Sequence, residues 1–153
     1  MFVARSGVGK NPIIVAVGCL LSSVASVYAV RLASLKGYIA QPYVASLHLL
    51  VGVVACIGCA MLTHRVAGWR GRLAFAAAGV LGMWVAVFLG VATHFDVWQG
   101  MPAPPSEAYA DGAQLVASVV GGWIPGLLVY GLSLAAASGV SWLLKVIKGS
   151  GRS

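Results

Sequence analysis

Apolar residues in this chain come in four long runs, at about 12–30, 43–63, 73–93 and 124–144, each nearly free of charge. A helix needs about 20 predominantly apolar residues to cross a hydrocarbon layer roughly 30 Å thick. Strands of a membrane barrel would alternate apolar and polar side chains, and these runs do not, so helices are expected. The expected fold is therefore all-α: an integral membrane four-helix bundle, one domain over residues 1–153.

The boundaries carry their own signals. Asn11 followed by Pro12 is a helix start, a side-chain cap and then a residue with preset φ and no amide to satisfy. The opening also has the outline of a signal peptide, with Arg5 and Lys10 ahead of an apolar stretch and small residues near Val27-Tyr28-Ala29. We expect it to be a retained span.

Residues 94–123 differ in character. They hold all three acidic residues, Asp96, Glu107 and Asp111, no basic ones, and the turn-rich run Met101-Pro102-Ala103-Pro104-Pro105. After Ser106, a plausible N-cap, Glu107, Asp111, Gln114 and Ser118 fall on one helical face. Tyr109, Leu115, Val116, Val119, Val120 and Trp123 fall on the other. This predicts an amphipathic helix outside the bundle, before the last span. It either lies flat or hinged at the outer surface or extends the fourth span outward, with a bend at Gly121-Gly122 and Pro125. The flat or hinged arrangement is the expected one.

Composition agrees with a membrane setting: 60% of residues are hydrophobic and 8% charged, where a soluble domain carries about a quarter charged. The net charge of +7 could suggest nucleic acid in a soluble protein. Here the basic residues sit at the ends of apolar runs, where they meet anionic lipid and set orientation. With both termini on the inner side, Arg5, Lys10, Arg65, Arg70, Arg72, Lys145, Lys148 and Arg152 are inside. Only Arg31 and Lys36 face out, with the acidic loop. Trp98 and Trp123 then anchor the outer interface, and Trp69 and Trp142 the inner one. A bacterial inner membrane and an organelle inner membrane both fit this bias.

Chemistry-bearing residues are few. Cys56 and Cys59 have the spacing of redox and zinc motifs but lack a second pair or a histidine at ligand spacing. We read them, with Cys19, as small residues filling helix contacts. No metal site and no catalytic constellation is expected, because the acidic residues all fall in the external segment. Small residues recur every fourth position in each span, most regularly as Ala74, Ala78, Gly82, Ala86 and Gly90 in the third. Such stripes let helices approach closely in lipid, and this one is expected to form a helix contact within the bundle or with another subunit. Gly18, Ser22 and Ser26, then Gly52, Cys56 and Ala60, then Gly131, Ala135 and Gly139 repeat the pattern.

His48 is the one ionisable residue well inside a span, which makes it a functional candidate. With His94 near the same outer side, it could ligate a b-type haem or hold a quinone headgroup, in the company of Tyr43, Phe95 and Trp98. The alternative is a neutral imidazole bonded to a backbone carbonyl. His64, beside Arg65, is expected to be interfacial.

The run His64-Arg65, Gly68-Trp69-Arg70-Gly71-Arg72, the third span and His94 resembles the last helices of membrane proteins that deliver haem in cytochrome c assembly. That family's tryptophan-rich external motif is missing here, so no role is carried over. The expectation is a small non-catalytic subunit with a structural or assembly role in a larger membrane complex, such as a respiratory or photosynthetic one. Its partners would be lipid and other membrane subunits, with no nucleic acid and no cofactor required. The alternatives are a haem- or quinone-binding redox subunit, and a small oligomeric channel or transporter lined by Ser22, Ser26 and His48.

Overall fold

The computed structural model describes residues 11–95 and 106–150, and there the chain is entirely helical. Its elements are α1 (Pro12–Leu35), α2 (Gln41–Thr63), α3 (Trp69–Phe95), α4 (Ser106–Gly121) and α5 (Trp123–Ser150). Four segments are long and apolar enough to cross a membrane: Pro12–Leu35, Tyr43–Thr63, Trp69–Thr93 and Trp123–Leu144.

Local chemistry accounts for the ends. The Asn11 side chain accepts from the Ile13 amide at 3.1 Å, and Pro12 follows it at the head of α1. At the other end Gly37 adopts φ +76°. Its amide donates to Ser34 O, and the Tyr38 amide donates to Ala33 O. That is the left-handed helix stop that glycine takes without steric penalty. Gly68, φ +103°, reverses the chain between α2 and α3.

α1, α2 and α3 run up, down and up, with α3 touching every other helix. The contacts are close because the facing residues are small. A methyl at Gly52 of α2 would lie 2.7 Å from Ala86 Cβ and 2.7 Å from Met83 Sδ on α3. A methyl at Gly126 would lie 3.0 Å from Val80 O, so α5 meets the α3 backbone almost directly. The buried cluster beneath joins Ala16 of α1, Cys56, Cys59 and Ala60 of α2, Phe75 and Ala78 of α3, and Tyr130 of α5.

The fourth crossing departs from a simple span. The bend expected at Gly121-Gly122 is there, since α4 and α5 are separate helices divided at Gly122. α4 does not stand clear of the bundle, however. Gly112 lies against the Phe95 ring, and the Trp84 indole donates to the carbonyls of Ser118 (3.1 Å) and Val119 (3.3 Å). Trp84 is eleven residues before the C-terminal end of α3, or ~16 Å along a helix. The last turn of α4 therefore lies beside the middle of α3. α5 begins at that level and descends past Cys56, Thr63 and His64 of α2. Ser138 is level with His64, and α5 continues for twelve more residues, ~18 Å.

Candidate functional site

His48 is drawn into the seam between α1, α2 and α3, and it is 0% exposed. Its Nδ1 lies 2.7 Å from Val44 O, one turn earlier on α2. A nitrogen facing a carbonyl must carry the proton, so Nδ1–H donates and Nε2 keeps its lone pair. That Nε2 has no hydrogen-bond partner among the described residues. The Val27 backbone of α1 is the group nearest to offering the ring a second bond, though outside hydrogen-bond geometry. Gly90 of α3 abuts the ring, with the His48 Cβ 3.4 Å from where a Gly90 methyl would sit. The expected carbonyl-bonded imidazole and the expected lone pair for a ligand thus occur together.

The other half of the expected pair, the His94 side chain, lies outside the described residues, as does Trp98. The α3 backbone at position 94 is one turn beyond Gly90, ~6 Å toward the C-terminal end of α3. α2 and α3 are in contact at Gly52–Ala86 and again at His48–Gly90, so a macrocycle between them would have to part the two helices. Tyr43 is 66% exposed, and Phe95 faces Gly112 of α4.

The small stripe of α3 serves several neighbours in turn. Ala78, Gly82, Ala86 and Gly90 are buried and Ala74 is half-buried. Gly82 meets Ser23 of α1, Ala86 meets Gly52 and Gly90 meets His48. Gly52, Cys56 and Ala60 are buried as well, whereas Gly18, Ser22, Ser26, Gly131, Ala135 and Gly139 are exposed. Ser22 and Ser26 thus face away from the enclosed His48, and the three do not line one path within a single chain. The serine that faces inward is Ser23, 5% exposed and without a hydrogen-bond partner among the described residues.

Cys56 and Cys59 are buried and unbridged. The Cys56 thiol donates to Gly126 O at 3.4 Å, which ties α2 to the start of α5. No group of three or more metal-ligating side chains occurs among the described residues. Asp96 and the Glu107 side chain lie outside them.

The end of the bundle at the α2–α3 turn holds a polar cluster that no motif announced. Thr63 donates to Cys59 O (2.9 Å), and the Tyr130 hydroxyl donates to Thr63 Oγ1 (2.7 Å). His64 Nε2 sits 3.3 Å from both Leu134 O and Ser138 Oγ. Facing the carbonyl it is the protonated nitrogen, and it links α2 to α5. Arg72 Nε donates to Val66 O at 3.3 Å, and the Arg70 guanidinium stands 5.6 Å from the centroid of the Trp69 ring. These groups border a cavity of about 540 Å³ between α3 and α5. Tyr130 and Ser138 were not legible as partners of α2, because their meeting depends on how deep α5 sits. A serine and a tyrosine inside an apolar run were the available signal.

Comparisons with protein families, curated proteins and solved structures find no match for this chain. What the fold defines is a class: a multi-pass helical membrane protein.

Proposed function

We propose that this chain is a small non-catalytic subunit of a larger membrane assembly, with a structural or assembly role, and that the inner end of α5 is its docking element. One observation carries this. Beyond Ser138, α5 has left its neighbours, yet Val140, Trp142, Leu143, Leu144, Val146 and Ile147 are all 48% or more exposed there. Val140, Leu143, Leu144 and Ile147 recur at the spacing of one helical face, with Trp142 and Val146 on the other side and Ser141, Lys145 and Lys148 at positions along one flank. A helix stripped of neighbours and still apolar around most of its circumference is suited to another subunit. The outward small residues Gly131, Ala135 and Gly139 sit on the same helix and would allow close approach.

In the bilayer, the basic ends put both termini on the inner side, in a bacterial or organelle inner membrane. The level of Trp84 and Ser118 favours a fourth crossing made of α4 and the first half of α5, roughly residues 112–138. A non-catalytic role agrees with the separation of His48 and His64 at different levels of α2, with Asp111 on α4. The test is purification in mild detergent of the full chain and of a chain ending at Ser138. The full chain should bring down larger membrane proteins in fixed ratio, and the shortened one should lose them while remaining helical. A full chain that is monodisperse alone would sink the proposal.

The redox reading keeps one supporting observation, the buried Nε2 of His48 with Nδ1 held by Val44. It requires α2 and α3 to separate around a haem or quinone. A reduced-minus-oxidised spectrum, with His48→Ala as comparison, decides the haem version.

A further inference from the structure

The geometry points to a binding site for one anionic phospholipid in the inner-end groove between α3 and α5. This is independent of the assembly role, and either can fail without the other. The groove has the capacity of a ligand site: about 540 Å³, within the ~300–1,000 Å³ common for small-molecule pockets. Its depth is apolar, walled by Leu73 and Ala76 of α3 and by Leu134 of α5. The two hydroxyls at its floor, on Thr63 and Tyr130, already bond to each other, and Thr63 donates onward to Cys59 O. Nothing in the interior asks a ligand for a hydrogen bond, which suits an acyl chain.

The mouth has the opposite chemistry. His64, Trp69 and Arg72 border it. Val66 O holds the Arg72 Nε, and no partner among the described residues engages its two Nη groups. A guanidinium fixed by one nitrogen offers its remaining N–H groups to a phosphate with little ordering to do. Arg65 and Arg70 add charge close by, and Trp69, 70% exposed, has the amphipathic ring of the headgroup layer. The sequence has no Asp or Glu before Asp96, so none of the carboxylates belongs to this end of α2 or α3. A negatively charged phosphodiester would meet the Arg72 guanidinium at this mouth and no carboxylate of α2 or α3. A zwitterionic headgroup would bring its own cation up to three arginines.

The groove also opens where lipid is. Its Leu73 wall is 60% exposed, so an acyl chain can enter sideways from the bilayer. A soluble anion could use only the mouth.

The experiment is native mass spectrometry of the full chain in mild detergent, titrated with phosphatidylglycerol or with phosphatidylcholine of the same acyl chains. One phosphatidylglycerol should be retained about tenfold more tightly than phosphatidylcholine, with no displacement by millimolar inorganic phosphate. Arg72→Gln should bring the two lipids to within about twofold of each other. Ala76→Phe, which fills the depth and leaves the arginines, should weaken both. Lys36→Gln at the other end should change neither. Equal retention of the two lipids overturns the proposal, as does displacement by phosphate. It also falls if Ala76→Phe retains phosphatidylglycerol as the parent does, a result that does not require the Arg72 variant to fold.

Discussion

Gly52 offers the sharpest test of how α2 and α3 are held together. A methyl there would sit 2.7 Å from Ala86 Cβ, 2.7 Å from Met83 Sδ and 3.3 Å from Met83 Cα. Carbon atoms in contact prefer about 3.5–4.0 Å, so the alanine variant is short by about 1 Å. The methionine sulfur can swing aside, but Ala86 Cβ is fixed to its backbone and the helices must part. Overpacking of this kind costs about 1–3 kcal/mol. Alanine also gains up to about 1 kcal/mol over glycine in helix propensity, which would mask part of the loss. Gly131 of α5 removes that ambiguity, because nothing lies within 4 Å of its added methyl. Gly52→Ala and Gly131→Ala share the propensity gain, so their difference in stability is the overpacking alone, about 1–3 kcal/mol. Equilibrium unfolding in mixed micelles, followed by circular dichroism, measures it. Gly131→Ala should match or exceed the parent and Gly52→Ala should fall below Gly131→Ala by that amount. Two variants of equal stability would mean that α2 and α3 do not meet at Gly52–Ala86.

The Thr63–Tyr130 pair predicts an asymmetry. Tyr130→Phe leaves Thr63 bonded to Cys59 O and should cost about 0.5–1 kcal/mol, whereas Thr63→Val strands a buried phenol and should cost about 1–3 kcal/mol; equal losses in the same unfolding assay would refute the pairing. Trp84→Phe removes the donor to Ser118 O and Val119 O, so amide exchange in α4 should accelerate while α1 and α2 are unchanged. Unaltered exchange would separate α4 from the middle of α3. The contact between His48 and Gly90 predicts a purified chain without haem bands, and a band abolished by His48→Ala would reinstate the redox reading.

Hydropathy made the membrane helices legible with little help, since α1, α2 and α3 contain the expected 12–30, 43–63 and 73–93. It could not supply the depth at which each helix sits. The run 124–144 is apolar enough to span, but Cys56, Thr63 and His64 hold it low, through groups whose partners are some seventy residues away. The site was partly legible for a similar reason. His48 stood out as an ionisable group in a span, yet α1 is apolar around its whole circumference. Nothing in its pattern told Ser23, which turns inward, from Ser22 and Ser26, which turn out.

The junction of α4 and α5 explains why a broken helix is tolerable inside the bundle. A helix that stops in hydrocarbon leaves its last carbonyls without amide partners, at several kcal/mol each by order of magnitude. Here the Gly122 amide donates to Ser118 O at 3.0 Å. The Trp84 indole covers Ser118 and Val119, and the Trp123 indole donates to Val120 O at 2.8 Å. In transporters the same kind of break leaves carbonyls open to coordinate an ion. In this chain two tryptophans answer three of them, at Ser118, Val119 and Val120, and the break serves geometry. It lets α4 hug the C-terminal half of α3 and resets α5 toward the α2–α3 turn. A continuous helix from Ser106 would have no such freedom to shift at Gly122. The cost of the interruption is met by indole donors inside the chain, and its product is the apolar α5 end that the assembly proposal requires.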